Sequence, residues 1–252
     1  MPNNITNQLI VTANTNEELQ KFLGAIKGDN IMDEEQQAID FNNIIPMPLA
    51  LRNTEASSDV EDSIYYYLVK SNQEHLIARI LRYSSAYNMD RFARHSDEKL
   101  ADMMKVGEQY VDIFNKYGVK DWYDWSIKNW GTKWNAYDSS ASMISDTSAV
   151  VWFDTAWSGV PDIIQKLIEM FPNITFEYQF ADEDMGYNCG SGYSDDGEFY
   201  FNMLEPNSEE AMRTYASCKG YEFENFYQDI NGHWHNREWE DEDDDEEDED
   251  ID

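Results

Sequence analysis

Cysteine is scarce. The 252 residues include two, Cys189 and Cys218, too few and too far apart in sequence for a disulfide framework or a zinc knuckle. Two free thiols in a reducing cytoplasm are expected. No apolar run approaches the length that spans a bilayer. The first ten residues, MPNNITNQLI, lack the basic region and the apolar core of a secretory leader. The expectation is a cytoplasmic protein without a membrane partner, in which the sequons at Asn4 and Asn173 carry no weight. Catalytic signatures are missing as well. The chain has no P-loop, no GxSxG, no HExxH and no dinucleotide-binding glycine fingerprint. Nothing in its spacing brings a cysteine and a histidine together as nucleophile and base.

Basic residues are also in deficit: 18 Lys and Arg stand against 51 Asp and Glu, a formal charge of −33. The imbalance is uneven. Residues 1–69 carry a net −8, residues 70–133 a net +2, residues 134–237 a net −14 and residues 238–252 a net −13. The tail therefore accounts for less than half, and the body alone stands at −20. Such a body repels nucleic-acid phosphates and attracts basic partners. From Glu240 to Asp250 every residue is Asp or Glu. These side chains can neither pack nor pair with one another, so the tail is expected to be disordered.

Aromatic residues are plentiful, at 14%. Residues 121–138, DWYDWSIKNWGTKWNAYD, hold four of the eight tryptophans, Trp122, Trp125, Trp130 and Trp134. Trp152 and Trp157 follow. Before this segment, residues 8–13 (QLIVTA) read as a strand. Asn14, Thr15 and Asn16 offer helix caps, and Leu19, Phe22, Leu23 and Ile26 form the stripe of an amphipathic helix. Residues 50–120 contain no proline and show three helical stretches, which suggests a helical insertion. After it come an apolar strand at 149–153, with a partner hairpin strand at 139–144, and a helix led by Pro161. A period-two strand at 174–180 closes the series. The order outside the insertion is β-α-β-β-α-β, the split βαβ plan of the ferredoxin-like fold. Beyond it, residues 187–237 read as an extension with turn-forming glycines, a strand and a short helix.

The motifs FNNIIPMP (41–48), WYDWSIKNWGTKWNA (122–136), FDTAWS (153–158) and ITFEYQFADEDMG (174–186) resemble the YubB-type family of phage and conjugative-plasmid proteins. The likeness extends over residues 1–50 and 118–186. It implies a ferredoxin-like domain and a mobile-element origin, and supplies no catalytic residues.

The aromatic segment has two readings. In one, the indoles plug the core and cover the sheet edge. In the other, Trp122, Trp125, Asn129, Trp130, Lys133, Trp134, Asp154 and Trp157 form a recognition surface on which a ligand stacks. A ferredoxin-like sheet can bind single-stranded RNA through exposed aromatics, but the RNP-type pattern is missing and the charge is wrong. Arg79, Arg82, Arg91 and Arg94, with Tyr83, Tyr87 and Phe92, are only locally basic and are expected to pair with the chain's own carboxylates. His233 and His235 lack a third ligand at metal spacing. Asp182, Glu183 and Asp184 make half a calcium loop without the rest. No cofactor and no metal are expected.

These readings combine into an α+β protein: a ferredoxin-like core (1–50 plus 118–186), a helical insertion (51–117), a C-terminal extension (187–237) and a disordered acidic tail (238–252). The expected function is non-enzymatic. It is that of a phage or plasmid accessory protein binding a host protein, in one form a DNA-mimicking inhibitor of a basic nucleic-acid-binding or defence protein. The alternative is a small-ligand or nucleotide-binding module built on NWGTKW. Neither involves direct nucleic-acid binding. A chain truncated after Arg237 is expected to keep its fold and melt at an equal or slightly higher temperature, because thirteen carboxylates are removed with no loss of core. Thermal unfolding checks this, and loss of folding would overturn it.

Overall fold

The computed structural model describes residues 3–28, 37–81 and 87–237. The acidic tail, Arg82 and Tyr83 lie outside the described residues. In chain order the helices and strands are β1 (Asn4–Thr12), α1 (Asn16–Ile26), α2 (Leu49–Arg52), α3 (Ser58–Lys70), α4 (Ile77–Ile80), α5 (Asp97–Tyr117), α6 (Trp122–Trp130), β2 (Tyr137–Ser145), β3 (Ser148–Ala156), α7 (Pro161–Met170), β4 (Thr175–Ala181), β5 (Gly190–Asp195), β6 (Glu198–Met203), α8 (Glu209–Lys219), β7 (Phe226–Gln228) and β8 (Trp234–Asn236). The chain forms two compact units, Met1–Ile45 with Trp130–Asp252, and Pro46–Asn129.

The first unit is ferredoxin-like. Its sheet has the order β2-β3-β1-β4-β5-β6, with every neighbouring pair antiparallel. The first four strands reproduce the split βαβ order, and the β5–β6 hairpin widens the sheet beyond β4. The extension expected at 187–237 is thus partly sheet. Gly190 on β5 is needed there, because a Cβ would run into the Phe180 and Phe201 rings. Thr15 caps α1 by accepting a hydrogen bond from the Glu18 N–H, and Pro161 sits in the first turn of α7, where its missing N–H costs nothing.

Strand β1 alternates strictly. Ile5, Asn7, Leu9 and Val11 are buried, and register places Asn7, Leu9 and Val11 in line with Phe180, Tyr178 and Phe176 of β4. This face lies under α1, whose Phe22 meets Phe176 edge-on at 5.6 Å, and the α7 side chains Ile163, Ile164 and Leu167 are fully buried. Polar side chains sit in it as well, Asn7 and Thr155 among them. Asn7 is completely buried and donates to the Phe153 carbonyl (3.2 Å) and to Thr155 Oγ1 (2.8 Å). Its Oδ1 accepts from the Tyr178 hydroxyl (2.6 Å), which in turn accepts from the Val160 N–H (2.7 Å) at the start of α7. Burial holds the Tyr178 phenol far above its ordinary range. The opposite face of the sheet is covered by α8, where Lys219 Nζ donates to Thr6 Oγ1 at 2.9 Å and Gln179 donates to Ser217 Oγ at 2.6 Å. Beneath α8 a second core gathers Ala181, Cys189, Met212, Tyr215, Cys218 and Phe226. Both cysteines are free and buried in it.

The second unit is helical. Val60, Ile64 and Leu68 of α3 pack against Tyr110 and Val111 of α5. Gly107 permits the close approach: a Cβ there would collide with the Ser63 carbonyl and Tyr67. Its boundaries, Pro46 and Asn129, differ from the expected 51 and 117. The reason is α6. Asp121 Oδ1 accepts from the Asp124 N–H at 2.8 Å, which starts a helix. The Trp122 N–H donates to Thr54 Oγ1 at 2.9 Å, so the first half of the aromatic segment belongs with the helices.

Replacing Tyr178 with Phe removes one hydroxyl and leaves Asn7 Oδ1 and the Val160 N–H buried without a partner. The expected cost is about 1–3 kcal/mol, read as a lower urea midpoint at constant slope. A change within about 0.5 kcal/mol would mean that water or rearrangement replaces the hydroxyl.

Candidate functional site

The eight residues of the expected recognition surface divide between the two units. Trp122, Trp125 and Asn129 lie in the helical unit. Trp125 is buried, and Asn129 Nδ2 donates to the Trp125 carbonyl at 2.8 Å, one helical turn back. Trp130, Lys133, Trp134, Asp154 and Trp157 lie in the ferredoxin-like unit. Trp130 is 3% exposed. Its indole N–H donates to the Ile45 carbonyl at 2.9 Å and its ring meets Phe41 edge-on at 5.8 Å. Those are the contacts of a core residue.

Three candidates come together at the surface. Lys133 Nζ lies 4.5 Å from the Trp134 ring centroid and 5.1 Å from that of Trp157. Trp157 is 41% exposed and has φ of 74°, in the left-handed region that a bulky residue rarely adopts. Its N–H donates to the Asn3 carbonyl and its own carbonyl accepts from Asn188 Nδ2. Asp154 sits on the α8 face of the sheet, in register with Thr6. Burial raises its pKa, while a hydrogen bond from Thr6 and the charge of Lys219 lower it, and burial prevails.

The other motifs resolve into structural roles. Arg91 pairs with Asp62 at 2.9 Å and lies over Tyr87, and Arg79 lies over Phe114. Asp182 accepts from Asn3, Asn188 and the Asp184 N–H, so its carboxylate ties loops together. His233 and His235 each lie 3.6 Å from Asp229 Oδ2. Among the described residues no group of three His, Cys, Asp or Glu could hold a metal ion, and no helix is long and apolar enough to cross a membrane.

A feature that motif reading passed over is a groove of about 700 Å³ on the α8 face of the sheet, within the ferredoxin-like unit. Gln8, Ile10, Glu177, Gln179, Tyr193 and Tyr200 line its sheet side, and Glu210 and Ser217 its α8 side. Its carboxylates, Glu177 and Glu210, are exposed. Its lining includes no Lys, Arg or His among the described residues. Part of the signal was present in sequence, since the alternation of 174–180 turns Glu177 and Gln179 away from the main core.

Comparison with known proteins agrees with this architecture. Residues 129–230 match the family model described as the ferredoxin-like domain in Api92-like protein. The matched segment begins where the helical unit ends. The crystal structure of the protein Api92 from Yersinia pseudotuberculosis aligns with a TM-score of 0.38 and 9% identity, covering 81% of this chain and 99% of that one. No curated protein matches the chain.

Replacing Trp130 with Ala is expected to cost about 3–5 kcal/mol, as for other large buried aromatics. Replacing Trp157 with Ala should cost less than about 1.5 kcal/mol, since its ring is half-exposed. Chemical denaturation of both variants checks the contrast, and the reverse order would overturn the placement of the two rings.

Proposed function

We propose that the protein works by binding another protein, and that this partner is basic. The carrying observation is where the charge resides. The helical unit has 11 basic and 13 acidic side chains, a net of −2. The ferredoxin-like unit stands at −18 before the tail is added. A field of one sign concentrated on one unit steers a partner of opposite sign and rejects phosphate backbones. Carboxylates offered in place of nucleic-acid phosphates are one form of this activity, with a nucleic-acid-binding or defence protein as the target. The setting, a phage or plasmid accessory protein acting on its host, rests on the resemblance of the four motifs.

A second reading has one observation in its favour. The Lys133 ammonium between two indoles, next to the left-handed Trp157, offers a stacking surface with a cation for a small anionic ligand such as a nucleotide. A nucleoside monophosphate that raises the melting temperature by mass action would support this reading over the first.

The basic-partner reading is tested with a fluorescent arginine-rich peptide of about 20 residues and an arginine-free Gly/Ser analogue, titrated with the full chain. Binding of the arginine peptide is expected at about 50 mM salt and should weaken about tenfold or more by about 200 mM, as screening shortens the reach of the field. The analogue should not bind. An arginine peptide that fails to bind at low salt would overturn the proposal.

A further inference from the structure

We infer that the groove on the α8 face of the sheet is where the basic partner docks, and that it receives an arginine side chain. This rests on the basic-partner reading and gives it a site. The sheet register builds the site. Ile10 of β1, Glu177 of β4, Tyr193 of β5 and Tyr200 of β6 are successive cross-strand partners and form one row across four strands. The neighbouring row, Gln8, Gln179, Ser191 and Asn202, has the same construction. Helix α8 reaches the second row, where Gln179 donates to Gln8 and to Ser217. The first row's aromatic end stays open: Tyr193 is 53% and Tyr200 48% exposed.

The chemistry of the row selects its occupant. Tyr193 and Tyr200 stack with centroids 5.4 Å apart and planes 21° apart, which presents a broad aromatic surface. Glu177 is the cross-strand partner of Tyr193, and Glu210, in the first turn of α8, lines the same groove. Neither carboxylate has an ion pair among the described residues. Two uncompensated carboxylates beside an aromatic pair repel phosphates and carboxylates and attract a cation. A guanidinium is planar, stacks on aromatic faces and offers paired N–H donors that a carboxylate accepts two at a time. An ammonium gains the charge attraction without the stacking fit. The sheet register fixes the backbone positions of the row, and Gln179 is tied to Gln8 and Ser217 beside it.

The test uses the full chain, the arginine peptide described above and its lysine analogue. Three variants are compared: Glu177→Gln with Glu210→Gln; Tyr200→Ser, which leaves the charge unchanged; and Asp162→Asn with Glu169→Gln, which removes two exposed charges from α7 instead. Circular dichroism and melting temperature establish that each variant is folded. The expected result is a loss of about tenfold or more for the first variant. A loss of several-fold is expected for the second, with a change under about twofold for the third. The native chain should prefer the arginine peptide to the lysine one. Equal losses in the first and third variants, with the native chain still binding, would overturn the groove and leave the basic-partner reading standing. Arginine and lysine peptides binding equally, with Tyr200→Ser unchanged, would overturn the aromatic part of the site. A native chain that binds neither peptide would overturn the basic-partner reading itself.

Discussion

The ferredoxin-like unit depends on a single buried polar chain. Asn7 sits at the middle of the central strand with no exposed surface, in a layer made mostly of apolar side chains. Burying an amide there is unfavourable unless its hydrogen bonds are met. They are met from both neighbouring strands: β3 supplies Thr155 and the Phe153 carbonyl, and β4 supplies the Tyr178 hydroxyl, which also accepts from the Val160 N–H just before α7. Three strands and a helix entry are thereby fixed in one register. A one-residue slip of β1 would place Asn7 on the α8 face and cost Tyr178 and Thr155 their buried bonds to it. The alignment of β1 with β4 on the α8 face shares this constraint.

The two units divide the chain's physical chemistry. The helical unit balances its charges internally. Lys120 is buried beside Asp121 and Asp124 at 3.2 and 2.8 Å, with Glu61 at 3.7 Å, and Arg91 answers Asp62. The ferredoxin-like unit keeps a net −18 before the tail, of which pairs such as Lys166–Glu169 and Arg213–Glu209 offset only a part. Self-repulsion of such a surface is tolerated because the core beneath it is well packed: Phe22, Phe171 and Phe176 meet edge-on, and the α7 stripe is buried. Excess like charge that costs stability within the unit is the same charge available to a partner of opposite sign.

The helix α8 gives the sheet a second covered face, which a four-stranded ferredoxin-like sheet with two helices lacks. It covers the part of the sheet around Thr6, Gln8 and Gln179 and leaves the β5–β6 side open. The C-terminal residues thus both complete a core, through Met212, Tyr215 and Phe226, and bound a groove.

Local physics made much of the fold legible from sequence. The stripe of α1, the Pro161 helix start, the alternation of β4 and the order of elements outside the insertion follow from periodicity and caps, which neighbouring residues determine. The charge imbalance, too, is a property of sequence alone. The aromatic segment was not legible, because tryptophan signals burial without saying in which core. Only the fold sends Trp125 to the helical unit, sends Trp130 to the Ile45 carbonyl and leaves Trp157 half-exposed in a left-handed turn. The groove was equally hidden. Ile10, Glu177, Tyr193, Tyr200 and Glu210 are spread over some two hundred positions of sequence, and each is unremarkable in its own neighbourhood. Cross-strand register brings them together, and between β1 and β4 that register is a long-range quantity, which the hydrogen bond of Asn7 and Tyr178 helps to fix.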